Sequence, residues 1–235
     1  MAMERLDKLI SASGQASRRE AKELVRLGRV TIDGRPAKTV EEKIDGEVCL
    51  ICIDNVPINC KKYRYFLLHK PAGVLTAVED ARQKTVLDLF PPDLQKLGLV
   101  PAGRLDKDTT GLLILTNDGD MVHRIISPKK HVEKLYLAEV ENEPDPLAEA
   151  AFEQGIVLGD GTCCLPAKLE RLGNRRVLVY VHEGKYHQVK RMLASRGAPV
   201  LHLHRLRIGS LNLPEDLPEG EWLELDAKEI QKVLE

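Results

Sequence analysis

The sequence predicts an α+β chain in two parts: a small N-terminal helix-pair-plus-sheet module, then a larger mixed, largely antiparallel β-sheet with flanking helices. Three observations predict this. Two short helical patterns precede β-rich segments within the first sixty residues. A polar stretch, Asn59-Cys60-Lys61-Lys62, then reads as a linker. Beyond it, apolar strand patterns recur with mostly short connections, which favours antiparallel pairing. The expected domains are residues 1–60 and 61–235.

In order, Leu6, Leu9 and Ile10 have helical spacing, and Gly14 can end that helix. Ser17-Arg18-Arg19-Glu20 has the form of a capping box, with Ser17 as N-cap and Glu20 reaching back. The helix it opens should bury Ala21, Leu24 and Val25 and stop at Gly28. Arg18, Arg19, Lys22, Arg26 and Arg29 are left largely on its outer side, an arrangement suited to an RNA backbone. Val30–Ile32 reads as a strand, Asp33-Gly34 as a turn, and a β-rich remainder ends at Val48–Ile53.

In the second part, Tyr65–His69 reads as a strand broken by Pro71-Ala72-Gly73, and Pro91-Pro92 should end a short helix around Val86–Phe90. Gly111–Thr116 is an apolar strand stopped by Asn117-Asp118-Gly119, a turn signal. Leu135–Val140, Val157-Leu158, Ala167–Leu172, Val177–His182 and Leu201–Ile208 read as strands, and His187–Ser195 as a helix. Trp222 is expected to anchor the core.

Apolar content of 43% and charged content of 30% are those of an ordinary globular chain. No apolar run reaches the ~18 residues needed to span a bilayer, and Met1–Lys8 lacks the apolar core of a signal peptide. Five cysteines without framework spacing fit a reducing cytoplasm. The net charge of −1 hides an asymmetry: residues 1–38 carry a net +4, residues 182–207 a net +5, and residues 208–235 a net −6. Basic runs are usually solvated faces. Two of them balanced by an acidic tail point instead to a polyanion-binding face on a chain kept neutral overall.

The segment Gly103-Arg104-Leu105-Asp106-Lys107-Asp108-Thr109-Thr110-Gly111 presents a carboxylate on a glycine-flanked turn that leads into an apolar strand. Glycines there allow close approach of a substrate to the backbone. Three chemistries compete for it. Asp106, Asp108, Thr110 and Gly111 fall at the first positions of a calcium loop, but Asn117 stands where the bidentate Glu belongs. An aspartyl-phosphate enzyme would place its Asp-x-Asp-x-Thr after an apolar strand, whereas Pro101-Ala102-Gly103-Arg104 precedes this one. The third is attack on a glycosidic bond. A hydrolase of that kind uses two carboxylates, and Asp108 is a candidate for the second.

Residues 5–34 resemble the RNA-binding domain first described in ribosomal protein S-four, through Arg5-Leu6-Asp7-Lys8-Leu9-Ile10, Ser17-Arg18-Arg19-Glu20-Ala21 and Gly28-Arg29-Val30-Thr31-Ile32-Asp33-Gly34. Gly103-Arg104-Leu105-Asp106 with Thr109-Thr110-Gly111-Leu112 resembles the central motif of the pseudouridine synthases that modify ribosomal RNA. Tyr65–Gly73, Thr116–Gly119, Glu133-Lys134-Leu135-Tyr136 and Glu183–Met192 follow in that family's order, and the RsuA branch is the most similar.

The resemblance implies a pseudouridine synthase fold and isomerisation of a uridine in small-subunit (16S) ribosomal RNA. Asp106 would initiate cleavage of the bond between base and sugar, by attack on the ribose carbon or by assisting loss of a proton. Desolvation under a nucleobase disfavours that charge, and a cation offsets it. Lys190 holds the family's basic position, where many relatives have Arg, with Arg191 as a neighbouring substitute. Tyr136 would stack on uracil, and Arg104 would fill the gap left by the flipped nucleotide. Arg5, Lys8, Arg18, Arg19, Lys22, Arg26, Arg29, Lys185, His187 and Arg191 would contact RNA.

No cofactor and no metal is expected. The partner would be ribosomal RNA or an assembling small subunit, met by a monomer in the cytoplasm and away from membranes. Large-subunit RNA is the alternative target, and a non-catalytic RNA-binding assembly factor the alternative role. Cys49-Leu50-Ile51-Cys52 could suggest zinc with Cys163-Cys164, but residues three apart on a strand point to opposite faces. His202 and His204 share a strand face and read as an RNA-facing or structural pair.

Overall fold

A computed structural model describes residues 3–46, 48–127 and 130–235. It forms two compact units, one of Met1–Arg64 with Phe90–Leu99 and one of Tyr65–Leu89 with Val100–Glu235.

In the first unit, β1 (Glu4–Arg5) leads into α1 (Leu6–Ala12), and α2 (Arg18–Arg26) follows. Ser17 accepts from the Glu20 amide while Glu20 accepts from the Ser17 amide, so the capping box is closed. Leu6, Leu9 and Ile10 of α1 and Ala21 and Val25 of α2 are buried, with Leu24 packed partly buried against them. These side chains pack on Val30 and Ile32 of β2 (Val30–Ile32) and Ile51 of β5 (Ile51–Ile53), the middle strands of an antiparallel sheet whose outer strands, β3 (Arg35–Pro36) and β6 (Val56–Pro57), are exposed. The order is β3-β2-β5-β6, and β4 (Lys43–Ile44) pairs with β1. The expected strand over Val48–Ile53 is shortened to its last three residues, and Val48 and Leu50 are exposed.

α3 (Pro92–Gln95) also belongs to this unit. The sequence boundary assigned 90–99 to the larger domain; the structure groups it with the first. The reason lies at Gly14, whose φ is +77°: a side-chain carbon there would stand 2.6 Å from the Asp93 carbonyl oxygen. Pro92 opens a helix at its first position, where its missing N–H costs nothing.

The second unit contains β7 (Tyr65–Lys70), β8 (Val100–Pro101), β9 (Thr110–Thr116), α4 (Gly119–Ile126), β10 (Lys134–Val140), α5 (Ala148–Gln154), β11 (Lys168–Gly173), β12 (Arg176–Val181), α6 (Gln188–Ala194), β13 (Val200–Ile208), β14 (Leu211–Asn212), β15 (Trp222–Glu224) and α7 (Ala227–Lys232). Its nine-stranded sheet runs β11-β12-β10-β13-β9-β7-β15, with β14 on β13 and β8 on β9. β13 and β9 are parallel; the other pairs are antiparallel. Leu67, Leu112, Ile114 and Ile208 form a buried core with Met121 and Ile125 of α4 and Ile230 of α7.

Three expectations for this unit changed. Asn117-Asp118-Gly119 is a helix start rather than a hairpin turn, because the Asp118 carboxylate caps the Asp120 and Met121 amides at 3.1 Å each. Val157-Leu158 contributes one isolated bridge, Val157 to Cys163, and no strand. Trp222 lies on an edge strand, half-buried, its ring edge-on to Phe66 at 5.4 Å. Among the described residues no helix is long and apolar enough to cross a membrane, and no cluster of three His, Cys, Asp or Glu could hold a metal ion.

Candidate active site

A cavity of about 900 Å³ opens in the second unit, bordered by the loop that carries Asp106, the loop before α6, and one face of β10 and β13. The first loop is pegged from beneath. Lys70, at the end of β7 and fully buried, donates from Nζ to the carbonyl oxygens of Pro71 (3.0 Å), Lys107 (3.3 Å) and Thr109 (2.9 Å). The Gly73 amide donates to the same Lys107 oxygen at 2.8 Å. Thr76 holds Leu105 reciprocally, donating to its carbonyl at 2.7 Å and accepting from its amide at 3.2 Å. Burial pushes the Lys70 ammonium down to about 8, with Asp108 and Asp106 opposing the fall.

The second loop is set by Glu183, which is buried. It accepts from the Leu165 amide (2.8 Å) and the Gln188 side-chain amide (2.9 Å), and pairs with Lys185 at 2.8 Å. Gln188 accepts from the Lys185 amide at 3.0 Å, closing the loop on itself. His187 is thereby held in the left-handed region at φ +48°. Its Nε2 stands 3.4 Å from one Asp106 oxygen, and Lys190 Nζ stands 3.6 Å from the other. Lys190 also donates to Asp108 at 2.5 Å. That bond holds the Asp108 carboxyl below the usual range, with solvent reaching three-quarters of its side chain.

The far wall comes from β10 and β13. Tyr136 and Arg205 stand opposite each other across these strands, and the register slips by one residue between Tyr136 and Leu135. A bulge of this kind re-aims side chains, and Leu203, Arg205 and Ile208 all reach the cavity. Gly111 permits the close approach of β9 and β13: at φ +106°, a side-chain carbon there would lie 2.3 Å from the Arg205 carbonyl oxygen. Its glycine serves strand packing rather than substrate approach. Lys134, buried beside Tyr136, donates to the carbonyls of Val132 (2.6 Å) and Ile125 (3.3 Å) and is lowered to about 8 by burial and then by the Arg205 charge.

This geometry narrows the chemistry. Asp106 and Asp108 turn to Lys190 rather than to a common metal point, which argues against the calcium loop. A hydrolase needs a second carboxyl kept protonated. Asp108 is held ionised, so it cannot serve as that acid.

The family model for RNA pseudouridylate synthase matches residues 64–195, which span both loops and the Tyr136 strand. The chain belongs to that family. The S4 domain model matches residues 4–48 of the first unit. The chain is 42% identical over 230 residues to the uncharacterized RNA pseudouridine synthase YtzG of Bacillus subtilis, covering 96% of each. It is 40% identical over 233 residues to the ribosomal small subunit pseudouridine synthase A of Pseudomonas aeruginosa, covering 97% of this chain and all of that one. A solved pseudouridylate synthase structure matches with a TM-score of 0.69 and 39% identity, covering 97% of this chain and 99% of that chain.

Within this pseudouridylate synthase the structure brings together Asp106, Tyr136, Lys190 and His187 and puts Arg104 on the exposed rim. Arg104 makes no hydrogen bond or ion pair among the described residues. Arg191 is not beside Asp106; it pairs with Asp160 at 2.6 Å. Lys185 is tied to Glu183 and the Cys163 carbonyl.

In the first unit Arg18, Arg19 and Lys22 are exposed and form no ion pair among the described residues. Arg5 pairs with Asp7, Lys8 with Glu4, Arg26 with Glu23 and Arg29 with Asp54. Exposed pairs of this kind exchange readily for a phosphate.

Sequence reasoning did not single out Lys70, Glu183, Gln188 or Arg205 as functional. Lys70, Glu183 and Gln188 lie inside the motifs Tyr65–Gly73 and Glu183–Met192. Arg205 carried no signal beyond its basic strand.

Proposed function

We propose that the chain isomerises one uridine of small-subunit (16S) ribosomal RNA to pseudouridine, with Asp106 initiating cleavage of the glycosidic bond. The observation that carries this is the position of Asp106: a partly exposed carboxylate at the cavity wall, held between His187 and Lys190 on a loop pinned by Lys70. A histidine ring and a lysine ammonium stand one against each of its two oxygens. The cavity is of a size suited to one small ligand, and Tyr136 presents an aromatic wall against which a flipped base can stack. Arg104, free on the rim, is positioned to enter the duplex or loop that the uridine leaves. No external cofactor enters this chemistry.

The first unit would grip structured RNA through Arg18, Arg19 and Lys22, joined by Arg5, Lys8, Arg26 and Arg29 as their surface ion pairs exchange for phosphates. Lys185, His187 and Arg191 would line the approach to the cavity. The small-subunit target rests on the near full-length similarity to small-subunit enzymes such as that of Pseudomonas aeruginosa. Ribosomal RNA or the assembling subunit is the partner, in the cytoplasm. The cavity is complete within one chain, which supports a monomer.

The test is Asp106→Asn with a ribosomal RNA fragment. The variant should form no pseudouridine while binding RNA within a few-fold of wild type, and binding by both should weaken steeply with salt. Retained turnover would refute the role of Asp106, and salt-independent binding would refute the phosphate grip.

A further inference from the structure

Arg205 is 3% exposed and has no carboxylate partner among the described residues. Its Nε donates to the Leu112 carbonyl at 2.7 Å and its Nη1 to the Tyr136 hydroxyl at 3.2 Å. Its Nη2 is buried and has no hydrogen-bond partner. The guanidinium carbon lies 5.8 Å from the centre of the Tyr136 ring, and the residue lines the cavity. A buried cation with an unmet donor is costly and is ordinarily compensated by an anion or a strong acceptor. Lys134 adds a second buried ammonium nearby, and Arg205 acts on its proton affinity. A second orphan belongs to another residue that lines the cavity: the Thr109 hydroxyl, 1% exposed, has no partner either. The cavity therefore has unmet hydrogen-bonding capacity and a positive wall beside Tyr136.

The reaction supplies the missing anion. When the C1′–N1 bond breaks, its electron pair leaves with the base, and the resulting uracil monoanion carries charge on its two carbonyl oxygens. In the addition route an Asp106 oxygen bonds C1′ as N1 departs. C5 then bonds C1′ and releases the carboxylate. C5 loses its proton and N1 takes one up, so atoms and charge balance. If Asp106 instead assists loss of a sugar proton, the base still departs as the same anion.

We infer that Arg205 is a catalytic residue, whose Nη2 donates to a carbonyl oxygen of the flipped uracil and stabilises the negative charge that develops as the glycosidic bond breaks. This rests on the proposed function. Tyr136 then has a double task, a face for the base and a hydroxyl that orients the guanidinium.

The test combines Arg205→Gln and Arg205→Lys with RNA carrying uridine, 2-thiouridine or 4-thiouridine at the target, read as single-turnover rates. Sulfur is the poorer acceptor. Arg205→Gln should slow the uridine substrate by about 100-fold or more, as loss of one preorganised donor does, and Arg205→Lys should fall between. One thio-substrate should slow wild type yet not slow Arg205→Gln further, and that substrate identifies the oxygen. Each ratio is taken within one protein, so a partly unfolded variant does not blur it.

Turnover of Arg205→Gln within threefold of wild type would overturn the inference. So would equal slowing of wild type and Arg205→Gln by both thio-substrates. If wild type itself makes no pseudouridine from any ribosomal RNA, the underlying function fails instead.

Discussion

Replacing Lys70 with Met removes the peg under the Asp106 loop while keeping an unbranched apolar stem. Three carbonyl oxygens, those of Pro71, Lys107 and Thr109, lose a charged donor. Bonds to a charged group contribute about 2 kcal/mol each. Against them stands the cost of burying the charge. For an ammonium lowered from 10.5 to about 8, burial net of the Asp108, Asp106 and Glu219 charges disfavours the charged form by about 3 kcal/mol. The bonds outweigh it, and Lys70→Met should lose about 3 kcal/mol of stability.

Activity should suffer more. Lys107 and Thr109 bracket Asp108 and follow Asp106, and a displacement of about 1 Å at a reacting group costs on the order of 100-fold. Urea denaturation should show a lower midpoint with an unchanged slope. Single-turnover pseudouridine formation, measured where the variant is folded, should fall by about 100-fold. RNA binding should change little, because the first unit is untouched. A midpoint within about 0.5 kcal/mol of wild type, together with normal turnover, would refute this account of how the loop is held.

Gly111→Ala should destabilise the protein by about 3 kcal/mol or more, since its new carbon meets the Arg205 backbone at 2.3 Å and 2.6 Å; an unchanged melting temperature would contradict the packing of β9 on β13. Lys190→Met should cut the single-turnover rate by about 100-fold, whereas Arg191→Met, losing a pair with Asp160, should leave the rate at saturating RNA within about threefold. The reverse ranking would assign the cation beside Asp106 to Arg191. Lys70 and Lys134 sit at about 8 in the fold and at an ordinary 10.5 when unfolded. The unfolded chain therefore binds more protons between those values, and their contribution to stability rises with pH in that window. Between pH 8 and 10 the urea midpoint of wild type should gain on that of Lys134→Met, and a constant difference would exclude the shift at Lys134.

Much of the architecture was legible because local chemistry and tertiary contacts agree. Ser17 and Glu20 close their box as written, and the apolar face of Leu6, Leu9 and Ile10 is the face that is buried. Where they part, a long-range partner decides. Asp118 reads as a turn residue, yet Tyr65 donates to one of its oxygens at 2.7 Å while the other caps α4. Residues 90–99 look like part of the larger domain until Gly14 admits Asp93. The helix at Ala227–Lys232 has its own capping box, from Asp226 and Glu229, a signal masked in the sequence by the acidic tail around it.

The site divides in the same way. Asp106, Tyr136 and Lys190 lie in motifs and could be named. Arg205 acquires its place from a bulge between β10 and β13, which leaves no mark in composition or spacing. The side chains that hold the loops, Lys70, Thr76 and Glu183, act through main-chain atoms far away in sequence.

The most direct test of the central claim is a pseudouridine map of ribosomal RNA from cells with the gene, without it, and without it but carrying Asp106→Asn. One small-subunit uridine should lose its modification on deletion, regain it with the wild-type gene, and stay unmodified with Asp106→Asn. A map unchanged by deletion, or one altered in the large-subunit RNA alone, would contradict the account.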